Sequence, residues 1–222
     1  MRLLHHLPLS PYSRKLRLAL AEKRLAFELK VEKVWVRRPE FLDLNPAGTV
    51  PVLVEDNGLA IADSGVIGEY LDEAYPDTPL LGHSFAERVE TRRLVAWFDQ
   101  KFSAEVTHNL LYEKHMKRAL GRGHPDAAAL RAGYAALKLH LAYIGQLAES
   151  RPFLAGPRLS MADFAAAGHL SALDFIGDID WSLSPAARDW YAKLKCRPCF
   201  RALLLDRVPG VATPAHYADL DF

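Results

Sequence analysis

The hydrophobic period of this chain changes near residue 80, and the change limits which layers it can build. Through residues 1–78, stretches that alternate apolar and polar residues are interleaved with stretches of helical spacing; from about Phe85 to Asp206 only helical spacing remains. The short run RLLHH stops at Pro8. From Pro11 a helical pattern begins, with Leu16, Leu18, Ala19, Leu20 and Ala21 set among Arg14, Lys15, Arg17, Glu22 and Lys23. Ser10 suits the N-cap, and Pro11 suits the first helical position, where no N–H is needed. LAFELKVE then alternates apolar and charged residues as a half-buried strand does. After a polar, partly helical connection through RRPEFLDLN, the segment VPVLVEDNGLAI reads as two strands joined at Asp56-Asn57-Gly58, because Asn-Gly between apolar runs favours a hairpin. DSGVIGEYLDEAYP sets Val66, Ile67, Tyr70 and Leu71 at helical spacing and closes at Pro76. The predicted order is β-α-β-α-β-β-α, an α/β domain over residues 1–78.

DTPLLGHS links this domain to a second one, over residues 85–206, predicted to be all-helical. Its amphipathic stretches are ERVETRRLVAWFDQKFSAEVTHNLLYEKHMKRAL, DAAALRAGYAALKLHLAYIGQLAES, SMADFAAAGHLSALDFIG and PAARDWYAKLKCRP, the first two separated at Gly121-Arg122-Gly123-His124-Pro125. Within the third, Ser160-Met161-Ala162-Asp163 has a capping-box layout with Asp for the usual Glu, a structural feature. Residues 207–222 contain Pro209, Gly210 and Pro214 and show no periodicity. This tail is expected to wrap the surface or to await a partner.

Composition narrows the function classes. Lys and Arg total 28 against 27 for Asp and Glu, so no global field recruits nucleic acid or an anionic membrane. No apolar run reaches the ~20 residues of a membrane span, and MRLLHHLPLSPYS lacks the features of a signal peptide, so a cytoplasmic protein is expected. Cys196 and Cys199 are the only cysteines. Their C-x-x-C spacing would suit redox or metal chemistry, but they sit at the end of the last helical pattern and the histidines supply no partner pair at ligand spacing, so they read as structural and no metal is expected. His5 and His6 are neighbours in a strand and must point to opposite faces, one inward and one outward.

The segment LSPYSRK asks for chemistry. Ser10, at a strand end and a helix start, brings its hydroxyl and several unpaired backbone N–H groups to one point, and Arg14, Lys15 and Arg17 add positive charge within two turns. A free thiol has a pKa near ~8.5, and lowering it by about two units corresponds to roughly 2.7 kcal/mol of preference for the thiolate, the nucleophilic form. Serines stand where a redox motif has cysteines, so no mixed disulfide forms here, whereas stabilising another molecule's thiolate remains open. From the spacing alone, that role and plain capping by Ser10 stand side by side.

The element order, with SPYSRKLRLAL, NPAGTVPVL, ADSGVIGEYL and FLAGPRLSMADF in sequence, resembles the glutathione transferase superfamily over nearly the whole chain: a thioredoxin-like domain followed by a helical bundle. The resemblance implies that Ser10 activates the thiol of glutathione for attack on a small apolar electrophile, with glutathione as co-substrate and no other cofactor. It implies a cis bond between Val50 and Pro51 whose backbone pairs with the tripeptide, Ser64 holding the γ-glutamyl carboxylate, and Asp63 facing the ammonium. Tyr12 is the alternative hydroxyl and Ser13 an auxiliary one. Trp97, Phe98, Phe102 and Tyr112 are mostly core, with one or two of them expected in the electrophile pocket. A homodimer is expected.

A noncatalytic reading stands beside the enzymatic one, since the fold also serves as a scaffold. Trp35, between polar residues and beside Arg37 and Arg38, is placed to anchor a partner. The tail AHYADLDF, through Tyr217, Asp219, Asp221 and Phe222, has the acidic and aromatic alternation of a docking segment. In these features the chain resembles a bacterial branch of glutathione transferase homologues that binds the tubulin-like division filament protein FtsZ.

Overall fold

The computed structural model describes residues 1–220; Asp221 and Phe222, two of the candidate docking residues, lie outside the described residues. Strands β1 (Arg2–His6), β2 (Phe27–Val31), β3 (Val52–Val54) and β4 (Ala60–Ala62) form one sheet in the order β2-β1-β3-β4. β1 and β2 run parallel, as the intervening helix α1 (Pro11–Glu22) requires. β3 is antiparallel to both β1 and β4. The turn between β3 and β4 is closed by Glu55 N–H on Leu59 O, with Asn57 Oδ1 accepting from Leu59 and Gly58 at φ +87°. α2 (Pro39–Leu44) and α3 (Ser64–Ala74) complete the α/β unit.

Both faces of the sheet are covered, and this corrects the expectation for the histidine pair. Alternation does send His5 and His6 to opposite faces, yet both are buried: His5 packs on Phe41 of α2, and His6 lies under the charges of Arg17 on α1 and of Asp206. The reading of β2 as half-buried also fails. It is an edge strand paired only to β1, and from Glu28 to Val31 it is exposed.

After β4, the described residues hold no strand beyond an isolated bridge between Phe153 and Gly156. α4 (Phe85–Ala96) begins with a capping box between Ser84 and Glu87, continues as a π-helical stretch (Trp97–Met116), and ends in α5 (Lys117–Ala119). Then follow α6 (Ala127–Ser150), α7 (Met161–Phe175), α8 (Pro185–Lys195) and α9 (Arg201–Leu204). Every residue of α7 is buried, which its run of Ala, Gly and Ser permits: small side chains let neighbouring helices approach from several sides. Asp163 secures its start, accepting from the N–H groups of Ser160 and Leu154 and from Trp190 Nε1. The closest approach is to α1, where a Cβ on Gly168 would lie 2.5 Å from the carbonyl oxygen of Pro11. No helix of the described residues is long and apolar enough to cross a membrane.

Candidate functional site

A cavity of about 460 Å³ opens where the sheet unit meets the helical one. The first unit supplies Tyr12 and Lys15 from α1, Thr49, Val50 and Pro51 from the approach to β3, and Asp63, Ser64 and Gly68 at α3. The second supplies Arg92, Val95, Ala96, Asp99 and Gln100 from one face of the long helix. The Val50-Pro51 bond is cis, as the resemblance implies. Thus Val50, Pro51, Asp63, Ser64 and Tyr12 share one wall.

Ser10 does not line this cavity. Its Oγ turns back to accept from Ser13 N–H at 3.3 Å, the capping geometry of the plain reading. Ser13 is fully buried, its own hydroxyl without a hydrogen-bond partner among the described residues. Tyr12 reaches the cavity, but its hydroxyl donates to Asp99 O at 3.0 Å and lies 2.7 Å from Ser103 Oγ. Burial raises the Tyr12 pKa further, so the phenol stays protonated.

At the start of α3, Asp63 rather than Ser64 is the cap: its Oδ1 accepts from Gly65 and Val66 N–H at 2.7 and 3.1 Å. The Ser64 hydroxyl is engaged by Lys15, whose Nζ donates to it at 2.9 Å and also pairs with Asp99. Lys15 is buried at 1 % exposure. Burial alone would raise the Asp99 carboxyl, but His169 and Lys15 outweigh it and hold the group below the usual carboxylate range. Behind this pair His169 is buried on α7, kept neutral by desolvation; its Nδ1 meets Thr107 Oγ1 at 2.7 Å, while Nε2 stands 3.8 Å from Asp99 Oδ1.

The cations expected to enrich the amino end of α1 are therefore all spent internally. Arg14 and Arg17 both pair with Asp206, and Arg14 also donates to Pro8 O, Ser171 and the Tyr217 hydroxyl. In the cavity wall Lys15 is matched by Asp99 and Arg92 by Glu69, whereas Asp63 has no cation partner among the ion pairs of the described residues. The wall thus carries one carboxylate in excess of its cations.

Sequence reasoning missed the Lys15–Asp99–His169 line. Asp99 sits in a long amphipathic stretch with nothing to mark it, and Lys15 reads as one of the cations enriching the amino end of α1, not as the partner of Asp99. Of the aromatic cluster, Phe98 and Phe102 are core as expected, but none of Trp97, Phe98, Phe102 or Tyr112 lines the cavity, because the helix turns Val95, Ala96, Asp99 and Gln100 towards it. Trp97 bonds His140 Nδ1 through Nε1 at 3.2 Å. Cys196 is exposed and Cys199 buried, its thiol pushed up to about 12 by desolvation, which removes it as a nucleophile near neutral pH. Trp35 lies in a short 3₁₀ turn (Val34–Val36) at 39 % exposure. Tyr217 is buried against α1 and α7, so this part of the tail packs on its own helices, with the exposed Asp219 beyond it.

The architecture coincides with known domain families. Residues 4–79 match the model of the glutathione S-transferase N-terminal domain and residues 118–193 that of the glutathione S-transferase C-terminal domain. The chain belongs to the glutathione S-transferase family. Within it, FtsZ-localized protein A of Caulobacter vibrioides is 54% identical over 224 residues, spanning 100% of this chain and 98% of the relative. Among solved structures, a glutathione S-transferase from Rhodospirillum rubrum F11 superposes with a TM-score of 0.97 at 52% identity, covering 100% of both chains. FzlA from C. crescentus gives 0.96 at 54% identity, over 100% of this chain and 99% of the other. The glutathione S-transferase fold is thus shared by proteins named for conjugation and by one named for a division filament.

Proposed function

We propose that this glutathione S-transferase homologue is a noncatalytic, cytoplasmic adaptor of the FtsZ division filament, acting as a homodimer. The observation that carries this reading is the Lys15 side chain, which donates to the Ser64 hydroxyl oxygen and is itself neutralised by Asp99. Glutathione, with two carboxylates and one ammonium, would enter a wall already holding a surplus carboxylate, its lysine already paired. Ser10, capping α1 and outside the cavity, offers no hydrogen bond to a sulfur there. The full-length likeness to FtsZ-localized protein A supports the choice of partner. Trp35 and the exposed Asp219 are the candidate contacts.

Two measurements test it. Calorimetric titration with glutathione is expected to give a flat trace, and the protein is expected to co-sediment with FtsZ filaments, with Trp35→Ala or Asp219→Lys reducing the bound fraction several-fold. A one-to-one glutathione isotherm, with pelleting indistinguishable from a no-filament control, would falsify the proposal.

The enzymatic reading keeps one observation in its favour, the presence of Val50, Pro51, Asp63 and Ser64 on one cavity wall. It requires the Ser10 hydroxyl to reach the cavity and donate to the thiolate of glutathione, and it predicts conjugation of a small apolar electrophile that Ser10→Ala cuts by at least about tenfold. Unchanged turnover in that variant removes Ser10 from the mechanism.

A further inference from the structure

The outer edge of the sheet is open, and its charges are left over. β2 hydrogen-bonds to β1 alone. Glu32 donates to His6 O at 2.9 Å, and because successive residues of a strand direct their backbone groups to opposite sides, Glu28 and Lys30 also spend theirs on β1. The N–H and C=O groups of Phe27, Leu29 and Val31 therefore point out of the sheet. No proline interrupts the strand, and Leu29 and Val31 are 42 % and 55 % exposed on the face that carries the buried Leu4. The chain then turns through Val34–Val36, where Trp35 and Val36 are exposed as well, so exposed apolar side chains recur from Leu29 to Val36. Over residues 27–37, Glu32 is buried and paired with Arg38, which leaves Glu28 as the one exposed carboxylate against Lys30, Lys33 and Arg37. None of these three cations has an ion-pair partner among the described residues, whereas Arg14, Lys15, Arg17 and Lys23 are all paired inside.

We propose that the β2 edge takes an extended, net acidic segment of a protein partner as a fifth strand of the sheet, apolar at alternate positions against Leu29 and Val31, with carboxylates meeting Lys30, Lys33 and Arg37. The outward backbone groups call for another extended backbone, since a docked helix has spent its own N–H and C=O groups internally. Main-chain bonds along Phe27, Leu29 and Val31 supply affinity, and the alternation of side chains supplies register. The charge supplies selection. Cations on an open edge repel their like and discourage purely apolar strands, and the same cations attract an acidic one. The inference rests on the adaptor reading above and gives it a binding mode: the added strand belongs to the FtsZ filament, and Trp35 lies just past the strand that receives it.

Co-sedimentation of the full chain with FtsZ filaments reads it. Leu29→Pro removes an outward donor and leaves the ladder to β1 intact, and it should weaken filament binding at least about tenfold. Leu29→Val keeps the N–H and should stay within about twofold of the parent. The double variant Lys30→Glu/Lys33→Glu should weaken binding about tenfold and flatten its decline between about 50 and 300 mM salt. Both lysines are exposed, so this variant carries the test should Leu29→Pro fail to fold. In sedimentation velocity without filaments, each folded variant should match the parent, because the edge serves a partner and not a second copy. The proposal is overturned, with the adaptor reading intact, by a folded Leu29→Pro or a double variant that pellets like the parent, by a Leu29→Val that loses as much as Leu29→Pro, or by an edge variant that changes the oligomeric state. A parent chain that does not pellet overturns both.

Discussion

Burial of His6 under α1 holds its imidazole down at about 4, first through desolvation and then through the charge of Arg17. Between pH 6.5 and 4 the unfolded chain binds this proton and the native one does not, so stability falls as the pH drops through that window, by up to ~3 kcal/mol from this residue. His6→Phe should flatten urea-derived stability between pH 7 and 4.5 relative to the parent; identical pH slopes would place the cause elsewhere. His5, His140 and His169 are depressed in the same sense, so part of the slope will persist in the variant. Lys15 shows how far a single residue's role escapes its sequence neighbourhood. Helical spacing sets it in α1, but its partners Ser64 and Asp99 lie 49 and 84 positions away. The same holds for Arg14 and Arg17, whose charges the sequence assigns to a ligand and the fold gives to Asp206.

At the scale of elements, the packing of α1 on α7 decides where the site sits. Gly168 faces the first turn of α1, and an added Cβ would meet the Pro11 carbonyl oxygen at 2.5 Å and the Lys15 nitrogen at 3.1 Å, both backbone atoms that cannot turn aside. Gly168→Ala is expected to cost about 3 kcal/mol by forcing the two helices apart. Gly68→Ala, whose Cβ meets only the flexible end of Met161 at 3.3 Å, should stay within about 1 kcal/mol. Equal effects in chemical denaturation would show that α1 and α7 are not in rigid contact. The order of elements could be read from hydrophobic period and turn residues alone, since both are local properties. The exposure of β2 could not, because being an edge strand is a property of strand order.

For the whole molecule, the tail is a structural strap. Tyr217 is buried, donates to Leu203 O at 3.1 Å and accepts from Arg14 at 2.9 Å, while His216 contacts the buried Asp174 at 3.0 Å and its carbonyl accepts from Lys195. Deleting residues 215–222 uncovers Phe175 and leaves Arg14 one hydrogen bond short. A loss of roughly 3 kcal/mol follows from the buried ring and its bonds, seen as a fall in Tm of about 6–12 °C. A truncated chain as stable as the parent would show that the strap carries no load. Loss of filament binding on truncation is therefore ambiguous by itself, which is why Asp219→Lys is the cleaner probe.

The amino-acid sequence by itself determined the element types, the hairpin, the helix caps at Ser10 and Ser160, and the two-part architecture, because each depends on period, turn chemistry and capping within a few residues. It also carried the family, through motifs whose order along the chain is specific. Only the tertiary structure decided which charges remain available. Whether Lys15 serves a ligand or Asp99, and whether Tyr217 meets a partner or Arg14, depends on groups brought together from distant positions, where burial makes pairing the condition for keeping a charge or hydroxyl inside.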